Sequence, residues 1–283
     1  MAMTLEAFRS SLSSGVTDVL QQVTFIQANA YLAPSGTAAL QVSAELPKLA
    51  MLWGVGAHLE NIQPQASSFQ PMPYPNFAPN NIGTALENPP KVWDFTRAPK
   101  VLRPTEAFSI YASQTSGGAE NQAIFTMFTD GNIIAAPPVS QIPTQTGVGM
   151  FTIQHATAAT TLTANAWTQV TPIMDSPGIP AGLYALVGMR AQSAGCLAFR
   201  VRPISGSGFR PGGTGTQTAN QLEAPGQRFI NALTGQQSPW GVWMNFYQNT
   251  PPFIEFWSTS ADTKQDMWFD LIKISDATTS GAL

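Results

Sequence analysis

Near the N-terminus, apolar residues recur at three- and four-residue steps. Leu5, Phe8, Leu12, Val16, Val19, Leu20 and Val23 fall on one stripe if residues 4–24 are helical, so the spacing predicts a short N-terminal amphipathic helix. Gly15 inside it costs about 1 kcal/mol relative to alanine. A lone helix of this length is marginal in water, so its stripe must dock on its own domain, a neighbouring subunit or a membrane surface. The polar face carries almost no Lys or Arg, which argues against the membrane. On this reading the rest of the chain folds without residues 1–30.

Beyond residue 30 the pattern changes to short runs rich in Val, Ile, Phe, Trp, Tyr and Thr, punctuated by Gly, Pro, Asn and Ser. Strands are predicted at 39–46, 49–58, 106–113, 122–129, 149–155, 166–174, 183–191, 196–203, 240–248, 253–259 and 267–274. Many short strands without interleaved helices indicate an all-β sandwich or barrel. "LYALVGMRA" (183–191) is apolar on both faces, which suits a central strand. In "CLAFRVRP" (196–203), Leu197, Phe199 and Val201 share a core face, while Ala198, Arg200 and Arg202 share a face that meets water or a partner. "ISGSGFRPGG" (204–213) leaves the sheet as a loop.

Two long segments break the strand pattern. Residues 62–91 hold seven prolines with Phe69, Tyr74 and Phe77, a composition that does not sit in a sheet interior and reads as an extended loop lying on protein. Residues 204–238 are rich in Gly and Gln. The stretches 106–128 and 182–201 look alike: each is an aromatic-containing strand, a break with Gln, Ser and Gly, and a strand with a central Phe. Read as two hairpins, they reflect either an internal duplication or the turn residues that any two hairpins share.

Charge sharpens the picture. Apolar residues make up 43% of the 283 residues, but charged residues only 10%, against about 25% in typical soluble domains. The lysines are Lys48, Lys91, Lys100, Lys264 and Lys273. Charged residues are depleted in the cores of interfaces, so either neighbours cover much of the surface or Gln, Asn, Ser and Thr solubilise it. Net charge is −3. The closest grouping of positive charges, Arg200, Arg202 and Arg210, is no basic stripe, so strong direct nucleic-acid binding is not expected. The N-terminus has no signal-peptide pattern and no apolar run reaches 18 residues, so synthesis and folding in the cytoplasm are expected.

Chemical motifs are sparse. There is no GxSxG elbow and no GxxxxGK[ST] loop. "RPGGTGTQ" (210–217) lacks a lysine and reads as a flexible turn. His58, His155 and the lone Cys196, a buried thiol on this reading, make no zinc cluster at ordinary spacing. Asp262, Asp266 and Asp270 are too spread for a calcium loop. Glu255 alternates with Phe253 and Trp257 on one strand face. A carboxylate between aromatics is compatible with a glycosidase wall or with a face that packs on another subunit. The seven tryptophans divide between core positions and surface positions that anchor a partner or stack on sugars. No catalytic, cofactor or metal residue is assigned, and the chain is not expected to be an enzyme.

The arm at 4–24, the paired stretches at 106–128 and 182–201, and the closing "GVWMNFYQNTPPFIEFWSTSADTKQDMWFDLIKIS" (241–275), with low charge and long Pro- and Gly-rich loops, resemble a known class. The chain is similar in texture to the jelly-roll major capsid proteins of tailless icosahedral viruses and phages, of the double jelly-roll type. The resemblance implies an N-terminal helical arm (1–30), a first jelly-roll sandwich (31–145) and a second (146–283), standing side by side. The alternative is one jelly roll with large loop insertions. It also implies self-assembly as trimeric capsomers into an icosahedral shell, location in the virion, and contact with neighbouring capsomers, minor capsid proteins or an internal membrane. The candidate assembly contacts are Leu5, Phe8, Leu12 and Val16 on the arm, Phe69, Tyr74 and Phe77 in the Pro-rich loop, and Phe253, Glu255 and Trp257 on the strand face. A carbohydrate-binding sandwich, such as a phage adhesin or a lectin, is the alternative function.

Overall fold

A computed structural model of the chain describes residues 3–12, 17–24, 38–56, 58–70, 72–77, 93–95, 98–115, 120–130, 151–156, 160–172, 178–204, 210–217, 244–263 and 265–276. Among them the β-branched and aromatic runs form strands, and one 3-10 turn, Ser67–Phe69, is the only helical element. The chain divides into two units, residues 1–132 with 165–167, and residues 133–164 with 168–283. The first holds β1 (Met3–Leu12), β2 (Gln21–Gln22), β3 (Leu40–Gln41), β4 (Lys48–Val55), β5 (Leu59–Ala66), β6 (Trp93–Asp94), β7 (Lys100–Val101), β8 (Ala107–Gln114) and β9 (Glu120–Thr129). The second holds β10 (Phe151–Ala156), β11 (Trp167–Val170, whose first residue counts with the first unit), β12 (Leu183–Ser193), β13 (Cys196–Arg202), β14 (Gly212–Thr214), β15 (Thr216–Gln217), β16 (Met244–Tyr247), β17 (Phe253–Ser258) and β18 (Asp266–Ser275).

The pairings define the fold. In the second unit the first strand pairs with the last, β10 with β18, and β11 pairs with β17, β12 with β16, and β13 with β14. β18 then joins β12 and β17 joins β13, which closes two sheets. This is a β-ribbon rolled on itself, the connectivity of a jelly roll. The first unit repeats the scheme. β1 pairs with β9, β2 and β3 with β8, β4 with β6 and β7, and β5 through Ile62 with Phe77, while β9 joins β4 and β8 joins β5. The chain therefore contains two jelly rolls, and the alternative of one roll with insertions does not hold.

The N-terminal helix is not found. Residues 3–12 form β1, paired with β9 from Met3↔Thr129 to Leu12↔Glu120. Leu5 and Glu6 point to opposite faces and both are buried. A strand covered on both sides has no need of alternation, so the spacing of Leu5, Phe8 and Leu12 mimicked a helical stripe. Ten residues of ladder then outweigh local propensity. Val19, assigned to the same stripe, is exposed, and Val23 is buried in the first unit's core.

The look-alike stretches are not hairpins. β8 and β9 belong to different sheets, as do β12 and β13; each pair is a corner where the chain crosses the sandwich. Nor are they equivalent corners. The first unit's counterpart of β12–β13 is β4–β5, and the second unit's counterpart of β8–β9 is β17–β18. The repeat is in the pairing scheme rather than in those two sequences.

The Pro-rich stretch also enters a sheet. Residues 62–66 continue β5, and Pro64 lies opposite Ile110. Ile62 and Phe77 exchange both backbone hydrogen bonds at 2.9 Å. The next hydrogen-bonding pair in that register would be Pro64 with Pro75. Neither has an N–H, so this ladder stops at one bridge, while the ladder to β8, on the other side of Pro64, is unaffected. Similarly, "RPGGTGTQ" is not a loop: it supplies β14 and β15. A side-chain carbon at Gly215 would lie 2.0 Å from Cys196 Sγ, so the strand passes over the buried thiol only as glycine.

The first unit's core lies between its sheets. Leu49, Leu52, Ile124 and Phe128 come from one side and Ile62, Phe108, Ile110 and Ala112 from the other. Phe108 meets Phe128 edge to face at 5.4 Å, a favourable ring geometry. Some outward sides are buried too: Trp53 stacks on Phe125 at 5.0 Å on the side of β4 and β9 that faces away from this core.

Candidate functional site

In the second unit, β13 and β17 run antiparallel with Arg200 opposite Glu255, Arg202 opposite Phe253 and Ala198 opposite Trp257. Residues opposite one another project to the same side, so one face gathers Arg200, Arg202, Glu255 and Trp257. The register of β14, with Gly212 across from Arg200, brings in Arg210 beside Arg202. Glu255 Oε2 lies 2.5 Å from Arg200 Nε and 3.9 Å from Arg210 Nη1, and its Oε1 lies 3.7 Å from Arg202 Nη1. Arg200 is 0% exposed and Glu255 2%. The face expected to meet water or a partner is thus closed around an ion pair. Arg202 remains partly exposed, donates to Gln169 and lies 5.0 Å from the centroid of Phe253, a cation–π contact.

This geometry changes the reading of Glu255. Glycoside hydrolysis ordinarily needs two carboxyl groups flanking the scissile bond, and the ionic partners described for Glu255 are arginines. Among the described residues no group of three His, Cys, Asp or Glu is placed to hold a metal ion.

The structure separates the candidate assembly contacts. Leu5, Phe77, Glu255 and Trp257 are buried, so their side chains are interior groups rather than surface anchors. Phe69 is partly buried against the first unit's core, and Tyr74 and Phe253 are half-buried. Phe8 lies opposite Ile124 and Leu12 opposite Glu120 in the β1–β9 ladder. Val16 lies outside the described residues, as do Trp240, Trp243 and most of 204–238.

Three features escaped the sequence reading. The first is a carboxylate clamp. Glu106 accepts hydrogen bonds from Ser68 Oγ at 2.5 Å, the Ser68 amide at 2.9 Å and the Arg103 amide at 2.6 Å, tying the 3-10 turn to the turn before β8. Burial pushes its carboxyl pKa up, but these bonds and one from the Ser67 hydroxyl outweigh burial and hold it below the usual glutamate value. Beside it, Thr105 has φ 68°.

The second is a neutral polar face on the first unit. Gln22, Tyr111 and Gln63 form one row across β2, β8 and β5. Gln65 donates to Gln63 at 2.6 Å, and Asn76 Oδ1 accepts from Gln63 at 2.8 Å and Asn61 at 3.1 Å. The rows from Tyr111 to Ala107 carry no charged residue. The third lies on β18, where Asp266, Trp268 and Asp270 alternate with the buried Met267, Phe269 and Leu271. Period-two alternation in "DMWFDL" was the signal for it.

No protein-family model matches the sequence, and a search of curated proteins matches none. Among solved structures, the chain is similar over 95% of its length to the major capsid protein P2 from bacteriophage PM2, with 8% identity, a TM-score of 0.26 and 97% of that chain covered. It is similar over the same share to the STIV major capsid protein, with 10% identity, a TM-score of 0.25 and 97% of that chain covered. The fold assigned to this chain stands on its strand pairings and not on these superpositions.

Proposed function

We propose that this chain is a structural protein that self-assembles, as trimeric capsomers, into the icosahedral shell of a virion. The observation that carries the reading is the pairing of two complete jelly rolls in one chain with a charged content of only 10%. A free monomer of this size keeps apart from its copies by surface charge, whereas surfaces destined for other protein dispense with it. Closed symmetric assembly needs a few repeated contacts per subunit, each of which can be weak. The activity is then association, with no reacting group to assign, and the buried Arg200–Glu255 pair fixes strand register rather than performing chemistry. Neighbouring capsomers are the principal partners on this reading, with minor capsid proteins or an internal membrane as further ones.

Light scattering coupled to size exclusion, followed by electron microscopy of the largest species, tests this. Trimers or shells are the expected result. A strict monomer that captures glycans on an array would overturn it in favour of a carbohydrate-binding sandwich.

A further inference from the structure

Three guanidiniums of the second unit converge on one carboxylate. Arg200 Nε is 2.5 Å from Glu255, within hydrogen-bond distance, whereas Arg202 and Arg210 approach it at 3.7 Å and 3.9 Å. At those longer distances the charge is felt but the carboxylate engages no N–H. One carboxylate neutralises one guanidinium of the three, in a chain whose net charge is −3. The arginines are also graded in exposure, from 0% at Arg200 through 16% at Arg210 to 33% at Arg202, so the cluster opens to solvent at its Arg202–Arg210 end. There Arg202 lies over the Phe253 ring and donates to the exposed Gln169. With its oxygen turned to Arg202, the Gln169 amide presents its two N–H protons elsewhere on the same rim.

We infer that the Arg202–Arg210 end binds one dianionic phosphate group, either free or as the monoester of a larger molecule. A guanidinium holds five N–H donors in a planar fork that matches phosphate oxygens in pairs. A phosphate monoester brings three acceptor oxygens and close to two negative charges near neutral pH, which matches the two guanidiniums that Glu255 does not neutralise. Arg202 and Arg210 supply the forks and Gln169 a further donor. Glu255 is more deeply buried than either fork, and its charge is met by Arg200. The Phe253 ring and the Gln169 amide already order Arg202, which lowers the entropy lost on binding. Two forks are too few to track a nucleic-acid backbone, so the site selects a single phosphate. All of these residues belong to the second unit of one chain, so the site does not depend on the self-assembly proposed above.

Calorimetric titration of the full chain with inorganic phosphate, at an ionic strength held constant with sodium chloride, tests the site. Saturable binding is expected. Arg202→Gln and Arg210→Gln are each expected to raise the phosphate concentration for half-saturation about tenfold or more. Arg202→Lys keeps the charge without the fork, and a smaller rise of about threefold is expected. Arg103→Gln, which removes an exposed arginine of the first unit, is expected to bind as the parent does. Circular dichroism and melting of each variant confirm folding, and Arg202→Lys carries the test if the neutral variants unfold. Flotation with phosphatidylcholine vesicles, with and without phosphatidic acid, separates the two sources. Capture by phosphatidic acid that is lost in Arg202→Gln assigns a phosphate carried on a larger molecule, and phosphate binding without capture assigns the free anion. Absence of saturable phosphate binding, an equal loss in Arg103→Gln, or acetate binding as tightly as phosphate would overturn the assignment.

Discussion

Glu255 and Arg200 show how burial sets the consequence of a single change. Both charges are out of water and lie 2.5 Å apart, with Arg202 and Arg210 also within 4 Å of the Glu255 carboxylate. Removing one partner of such a pair typically costs about 3–5 kcal/mol, since the other stays buried without compensation. Glu255→Gln is therefore expected to lower unfolding free energy by that order, read as a shift of the urea midpoint at unchanged slope; a loss under about 1 kcal/mol would count against it. Thr105 is the opposite case. Pro104 and Thr105 occupy the centre of a turn closed by Glu106 N to Arg103 O at 3.2 Å, and φ 68° is uncommon for a β-branched residue. Such strain costs about 1–3 kcal/mol. Glycine relieves it but loosens the unfolded chain, so Thr105→Gly is expected to stabilise by about 1 kcal/mol, measured by the same titration. Glu106 next to it makes stability depend on pH. Its folded pKa lies below the unfolded value, so the clamp contributes fully above about pH 4.3 and is lost as pH falls from there through the folded pKa. Melting temperature followed from about pH 6 to pH 3 should fall less steeply in Glu106→Gln than in the parent.

At the scale of elements, what could be read from sequence depended on whether neighbours in the chain are neighbours in space. β4, β8, β9, β12, β13, β17 and β18 were legible because their own residue types favour a pleated, half-buried surface. β1 was not, because burial on both faces erases period two. β5 was not, because Pro64 suggested a loop, although its ring points away from β8 and removes only a bond that Pro75 could not have accompanied. The Arg200–Glu255 pair joins residues 55 apart in sequence, and only the β13–β17 register reveals it. With Pro64 and Pro75 both changed to Val, the Ile62–Phe77 bridge can grow into a ladder, and amide exchange at the new pair should slow relative to neighbouring loop amides. Deleting residues 1–30 now has a different expected outcome from that of a detachable arm. It strips β1 from the full length of β9 and bares an edge next to buried Phe125 and Met127. The truncated chain should aggregate or lose its cooperative melt, and a soluble, cooperatively folding product would show that β1 is dispensable.

At the scale of the whole molecule, composition spoke of association and topology of shape, and neither alone reaches a function. Jelly rolls also serve as lectins and cupins, and low charge alone is met by any Gln- and Ser-rich surface. The two together make a prediction about forces. If assembly were driven by opposite charges on facing patches, it would weaken steeply between low and high salt, because the Debye length shrinks from about 10 Å at 0.1 M to about 3 Å at 1 M. This chain has 13 basic and 16 acidic residues in 283, and several of the best-placed charges, Arg200, Glu255 and Glu6, are buried. On the proposed assembly, its contacts come mainly from apolar and neutral hydrogen-bonding surface, whose attraction does not decay with ionic strength. The concentration for half-association should therefore change by less than about threefold between 0.1 M and 1 M sodium chloride, and sodium sulfate, which strengthens apolar burial, should promote assembly. A tenfold or greater loss of association in sodium chloride would mean that ion pairs carry the contacts.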